Sequence, residues 1–251
     1  MPRSWRLVDS GAVSPPESAA IDEAILEAHV LGKVPNTLHF YTRSLPAISV
    51  GYFQKMAESV DLAECERRGV AIVRRRSGGS SIYTDNGQLI YGLVLHEPDL
   101  PQIRADSFRL ICEAISSALR SFGVDAVYRP MNDVEVDGRK ISGNAQLRRK
   151  GSVLQHGTVV VDTDFSAMDA VLRVNSLNRR GVSRPSDRMT SLARIIGAAP
   201  EMEKVKGALL TSFEKSLDAR FAQSPLTEYE KTLVRDLIEE HYSRHEWNFK
   251  F

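Results

Sequence analysis

The chain has 251 residues, enough for one large domain or two small ones around a real apolar core. Its 42% hydrophobic and 26% charged residues are those of an ordinary soluble globular protein, and 33 Lys+Arg against 32 Asp+Glu leave no global field to draw nucleic acid or a membrane surface. Cys65 and Cys112 are too few for a disulfide framework and lack metal-ligand spacing, and with no signal-like or membrane-length apolar run a cytoplasmic location is expected.

After "VSPPES", Ser18 is expected to cap a helix carrying Ile21, Ala24, Ile25, Ala28 and Leu31 at helical spacing. "TLHFYTR" and "AISVGYF" read as strands broken at Ser44-Leu45-Pro46. "DLAECERRG" predicts a short helix closed by Gly69, with Cys65 on its surface, and "VAIVR" a buried strand. "SSIYTDNGQLIYGLVL" predicts a hairpin turning at Asp85-Asn86-Gly87. Residues 105–122 predict a helix whose inner face carries Phe108, Ile111, Cys112, Ile115 and Leu119. "NDVEVDGRKISGNAQLRRKGSVLQHGTVVVD" predicts further strands, with turns at Asp137-Gly138 and Lys150-Gly151. Helices are expected at 165–173, 189–196, 201–218 and 227–242, and the polar loop around 175–188 is expected to order over a ligand. Strands first and helices last define an α+β domain rather than a regular βαβ alternation.

Three stretches carry chemistry. In "RRRSGGSSIYTD", Arg74, Arg75 and Arg76 precede Ser77-Gly78-Gly79, and Ser80 and Ser81 follow. Successive N–H groups of such a loop form an anion nest, and an arginine can clamp a carboxylate or phosphate. The same stretch also reads as a solvated hairpin, and it matches neither standard nucleotide loop. In "MNDVEVDGRKISGNAQ", strand alternation sets Lys140 and Ser142 on one face and Ile141 on the other. Lys140 either reaches into a site or is a solvated edge-strand charge. In "LQHGTVVVD", His156 at the start of an apolar strand is a base, a ligand or a hydrogen-bonded structural residue.

The order "RRRSGG", "GRKISGNAQ", "HGT", "DRMTSL" and "EWNF" resembles the lipoate–protein ligase family over nearly the whole chain. The resemblance implies a mixed, largely antiparallel sheet flanked by helices, related to biotin–protein ligases and class II aminoacyl-tRNA synthetases. It implies one catalytic domain over 1–251, with the accessory C-terminal domain absent and a separate small accessory subunit as a partner. The activity implied is ATP-dependent: lipoate or octanoate becomes an acyl-adenylate, and the acyl group passes to a lysine of an acceptor. Acceptors would be lipoyl domains of 2-oxoacid dehydrogenase complexes or the glycine-cleavage H protein.

By the same resemblance Lys140 is the catalytic lysine. Arg75, Gly78, Gly79, Ser80, Ser81, Ile82, Tyr83, Asn132 and Asp133 line the nucleotide and acyl site. Ile141, Gly143, His156, Gly157 and Val159 are placed on the substrate side, with Ile82, Tyr83, Ile141 and Val159 as an apolar channel. Mg2+ would arrive with ATP, held through phosphates and Asp133. Ser80, Ser81 and Thr84 depart from the family's Gly-Gly-Gly-Ala and His-Asp patterns.

Two rivals share the fold. An acyl-carrier-dependent octanoyl- or lipoyl-transferase commonly uses a cysteine near the lysine strand, and residues 124–160 contain none, which leaves a cysteine-independent or partner-dependent transferase as the alternative. A non-catalytic lipoyl- or nucleotide-binding homologue is supported only by the serine and threonine departures. A biotin–protein ligase lacks its glycine–arginine loop here. The basic clusters Arg74–Arg76, Arg148–Lys150 and Arg179–Arg180, without interleaved aromatics, suit an acidic acceptor surface better than nucleic acid.

Overall fold

A computed structural model of the chain describes residues 3–173 and 183–251. The strands are β1 (Arg3–Val13), β2 (Thr37–Arg43), β3 (Ala47–Val50), β4 (Ala71–Arg74), β5 (Ile82–Thr84), β6 (Gln88–His96), β7 (Val127–Arg129), β8 (Asp133–Val136), β9 (Arg139–Arg149), β10 (Ser152–Val160) and β11 (Ala219–Gln223). Eight form one sheet in the order β11-β1-β2-β6-β10-β9-β8-β7, and β4-β3-β5 form a second. In the large sheet β1 runs parallel to both neighbours, and every pairing from β2 to β7 is antiparallel. This is the mixed, largely antiparallel α+β architecture that the sequence implies.

The helices are α1 (Pro15–Val30), α2 (Met56–Ser59), α3 (Leu62–Arg68), α4 (Arg104–Arg120), α5 (Phe165–Val171), α6 (Leu192–Ile196), α7 (Met202–Leu217), α8 (Glu228–Leu237) and α9 (His245–Asn248). Alternation along β6 explains the layers. Leu89, Tyr91, Leu93 and Leu95 join the core that holds Ile111 and Ile115 of α4 and Leu209 and Phe213 of α7. Ile90 and Val94 face the other core, with Ile21 and Ile25 of α1 and Val234 and Leu237 of α8. Helices on both faces bury β6 from Gln88 to Leu95, which is why "LIYGLVL" reads as a nearly continuous apolar run.

Several local expectations change. The α1 helix starts a turn early, because Ser14 caps it in a capping box with Glu17 and Pro15 occupies the first turn. Ser18 is therefore an interior, buried residue. The expected 80–95 hairpin does not form: β5 pairs with β3 in the small sheet and β6 with β2 and β10 in the large one. Its turn is instead the crossing between sheets, tied down where the Gly87 carbonyl accepts from Val161 and Asp162 N–H groups. Strand β1 and the edge strand β11 beside it are additions. The helical pattern of 201–218 stops at Leu217 because Asp218 turns left-handed (φ 46°) and starts the strand beside β1. The two glycine turns do form tight hairpins, with positive φ at Asp137-Gly138 and at Lys150-Gly151.

Arg6 of β1 fixes α8 to the sheet through a two-pronged ion pair with Glu230, at 2.8 and 2.5 Å, both residues being buried. Burial alone raises the Glu230 carboxyl, but the Arg6 bonds outweigh it and leave the group below its usual value. The pair's contribution is complete above the ordinary glutamate range and is lost as pH falls through that depressed value. Arg6→Ala is expected to cost about 3–5 kcal/mol in urea denaturation at neutral pH, with the gap from wild type narrowing in acid.

Candidate active site

A cavity of about 880 Å³ opens between α1, the loop after β4 and the β8–β10 face of the large sheet. That is a size suited to a small-molecule or cofactor ligand. Its apolar wall includes Leu26, Val73, Ile90, Leu147 and Leu154, and its polar groups come from three constructions.

The first is built around Asp22. Strand register puts His39 of β2, Gly92 of β6 and His156 of β10 in one row across the sheet. Asp22 of α1 lies over the glycine, where a Cβ would come within 2.6 Å of its Oδ1. Its carboxylate bonds His39 Nδ1 at 2.9 Å and His156 Nδ1 at 3.3 Å, and Tyr41 Oη donates to it at 3.4 Å. Burial would raise the carboxyl, but the bonds from His156 and His39 prevail and hold it well below the usual carboxylate range. An ionised Asp22 only accepts, so each imidazole presents an Nδ1–H to it and, when neutral, a bare Nε2 on its far side. His156 Nε2 lies 2.6 Å from Ser77 Oγ, and His39 Nε2 lies 2.9 Å from Ser10 Oγ.

The second is the arginine loop, and here the structure departs from the expectation that the arginines face an anion. Arg74, wholly buried, donates to the carbonyls of Gly51, Tyr52, Gln54 and Asn248. Arg75 donates to the carbonyls of Ser49, Gly78 and Ser80 and to Ser77 Oγ. Its burial lowers the guanidinium to about 10. Arg76 pairs with Glu23 of α1 at 2.9 Å and lies over the Trp247 ring. These guanidiniums shape the loop rather than point out of it. What they leave for a ligand is backbone: among the described residues, the N–H groups of Ser77 to Ser81 have no protein acceptor, and Ser81 Oγ is buried without a partner. Such a run of bare N–H groups fits a phosphate or carboxylate.

The third is Lys140. Glu135 pairs with Lys140 and Val134 with Ser142, so Ile141 is the extra residue of a β-bulge. The bulge breaks strand alternation and corrects the expected facing. Lys140 shares the cavity side with Gly143 and Ala145, while Ile141 and Ser142 are both fully buried on the inner side. The lysine folds back over Gly143, whose Cβ would lie 2.5 Å from Nζ, and pairs with Asp133 at 2.6 Å. Thr190 N–H holds the Lys140 carbonyl at 2.9 Å.

Of the residues expected at the site, Arg75, Gly79, Ser80, Ser81, Ile82 and Tyr83 line the cavity. So do Asn132, Asp133, Lys140, Gly143, His156 and Gly157. Gly78 does not, and serves the loop through its carbonyl. Ile141 and Val159, expected in the acyl channel, are wholly buried among core side chains away from the cavity. Most of the expected lid, with Arg179 and Arg180, lies outside the described residues; Pro185 and Arg188 line the cavity mouth.

Sequence reasoning missed Asp22, Glu23, His39 and Arg43. The available signal was "IDEAIL", an acidic pair inside an apolar helical stripe. Thr84, where the family pattern has histidine, accepts from Arg43 Nε at 3.0 Å in the cavity wall.

Neither thiol is placed for chemistry. Cys65, expected on a surface, is 2% exposed, and burial pushes its thiol up to about 11. Cys112 is fully buried, accepts from Asn144 Nδ2 at 3.4 Å, and is pushed up to about 12. Neither lines the cavity. Among the described residues no group of three His, Cys, Asp or Glu side chains is arranged to hold a metal ion, so Asp133 is a single carboxylate already paired with Lys140.

Relatives place the molecule among enzymes that handle lipoyl and octanoyl groups. The family described as Lipoyl protein ligase A/B catalytic domain matches residues 14–214, and the chain belongs to that family. Octanoyltransferase LipM of Geobacillus kaustophilus is 32% identical, over 98% of this chain and 98% of that protein. The protein of the same description from Kyrpidia tusciae is 34% identical over 99% of each. Among solved structures, a bi-partite lipoate protein ligase from Thermoplasma acidophilum superposes with a TM-score of 0.87 at 30% identity, over 98% of this chain and 96% of that one. A lipoate-protein ligase A bound with ATP gives 0.84 at 29% identity, over 98% of each. No helix among the described residues is long and apolar enough to cross a membrane.

Gly92→Ala is expected to drive Asp22 from between its histidines at a cost of about 1–3 kcal/mol. A thermal melt of the variant checks this, and an unchanged midpoint would contradict it.

Proposed function

We propose that the chain joins lipoate or octanoate to a lysine of an acceptor protein, activating the acid as an acyl-adenylate with ATP. Carboxylate attack on the α-phosphorus brings two anions together, so the site needs fixed positive charge and donors where charge develops. The observation that carries this reading is the cavity that joins Lys140 to Ser77, Gly79, Ser80 and Ser81, whose N–H groups are bare. Lys140 Nζ would bridge carboxyl and phosphate oxygens, then polarise the acyl carbonyl as the acceptor amine attacks. Mg2+ would arrive on the phosphates, because the lone Asp133 carboxylate is no metal cluster. The wall of Leu26, Val73, Ile90, Leu147 and Leu154 suits an eight-carbon chain.

The ATP-bound ligase neighbour supports adenylation, and the Thermoplasma neighbour, described with its E2 lipoyl domain, supports a lipoyl domain as acceptor. That neighbour is bi-partite, and we extend the reading to a separate small subunit that raises activity. The octanoyltransferase relatives support a second reading, in which the acyl group arrives as a thioester and no nucleotide is consumed. The buried thiols count against the cysteine form of that reading.

Pyrophosphate release with ATP, Mg2+ and octanoate or lipoate is the test. Wild type is expected to release it, and Lys140→Ala to lose about 100- to 1,000-fold in rate while keeping its melting temperature. Acceptor modification from an acyl thioester, with no pyrophosphate from ATP and free acid, would overturn the adenylation reading.

A further inference from the structure

We propose that Ser77 is an acyl-accepting nucleophile, served by His156 as general base and by Asp22 as the residue that positions it. The inference rests on the reading of lipoyl or octanoyl transfer, and goes beyond it by supplying a route from a thioester that needs neither thiol nor nucleotide.

Geometry carries it. Ser77 Oγ is 2.6 Å from His156 Nε2, and His156 Nδ1 is 3.3 Å from Asp22 Oδ2, with all three residues on the cavity wall. The ionised Asp22 fixes the proton on Nδ1, leaving Nε2 to take the serine proton. A first bond of 3.3 Å is loose, as is common before a substrate is bound. Arg75 Nε donates to Ser77 Oγ at 3.1 Å and favours its anionic form. The bare N–H groups that follow in the loop provide donors for an oxyanion. Ser77 is only 1% exposed, which shields an ester there from bulk water. Along β10, Thr158 pairs with the Gly143 that underlies Lys140, two residues from His156 on the same strand face. The two centres are therefore spaced roughly 7 Å along the strand.

In the first step the Ser77 Oγ–carbonyl carbon bond forms and the carbonyl carbon–sulfur bond breaks. The serine proton passes to His156 Nε2 and then to the departing thiolate. In the second step the acceptor lysine amine forms the amide nitrogen–carbon bond and the carbon–Oγ bond breaks. The amine's proton returns through His156 to Ser77. No oxidant, reductant or nucleotide enters the balance.

Wild-type chain incubated with octanoyl-coenzyme A, without ATP or acceptor, and then digested for mass spectrometry is the test. The expected result is an octanoyl ester on Ser77, absent in Ser77→Ala and discharged on adding a lipoyl domain. His156→Gln is expected to slow acylation about 100- to 10,000-fold. Asp22→Asn is expected to slow it as well and to change its pH profile, which a purely structural role would not do. Should Ser77→Ala not fold, Ser77→Cys carries the test, since a folded cysteine variant is expected to form the thioester. No adduct on wild type, an adduct elsewhere, an unlabelled folded Ser77→Cys, or wild-type transfer by Ser77→Ala would each overturn the inference. A parallel arm with ATP and octanoate, read as pyrophosphate, reports on adenylation separately, so either proposal can fail alone.

Discussion

A single carboxylate organises the cavity. Asp22 is buried in a helix that faces the sheet, and its negative charge is tolerated there because two imidazoles and a phenol converge on it. That convergence has a steric condition: the strand between the histidines must carry glycine, and it does at Gly92. Once Asp22 is ionised, the orientation of His156 follows, and with it the hydrogen bond to Ser77 at the head of the 77–81 loop. The neighbouring Glu23 does comparable work for the loop's outer side, taking Arg76 and the Tyr242 hydroxyl. One turn of α1 therefore connects the sheet, the loop and the C-terminal elements.

The arginine run illustrates how charge in a sequence can mislead about charge in a site. A guanidinium has five donors in a fixed fork, and buried backbone carbonyls in a loop need donors as much as a phosphate does. Arg74 and Arg75 satisfy carbonyls from the 49–54 and 78–80 segments. Arg74 also binds the Asn248 carbonyl, while its own carbonyl accepts from Trp247, so "EWNF" is part of the loop's support. The loop's capacity for an anion lies in its N–H groups, which side-chain composition does not reveal.

Much of the fold was legible in the sequence. The helix of 105–122 with Ile111, Cys112, Ile115 and Leu119 inside, the two glycine turns and the switch from strands to helices all have local causes, and all formed, although Phe108 stays outside the core. What was not legible is what depends on contacts distant in sequence. The 80–95 hairpin failed because its arms found partners in different sheets. Cys65 became buried because α3 packs on elements that its own residues do not announce. Ile141 and Val159 were misplaced for different reasons: a bulge reset the facing of β9, and Val159 faces the core side of β10. Lys140, Asp133, Gly143 and His156, each in a short motif with its own signal, do line the cavity. Asp22 and His39 were not, because their significance exists only once α1, β2, β6 and β10 are stacked.

The most direct measurement of this arrangement is nitrogen-resolved NMR of the His156 ring at a pH where it is neutral. The account predicts a proton on Nδ1, facing Asp22, and a bare Nε2 that accepts from Ser77, with the Nδ1 proton perturbed in Asp22→Asn. A proton resting on Nε2, or a ring that exchanges freely between tautomers, would contradict it.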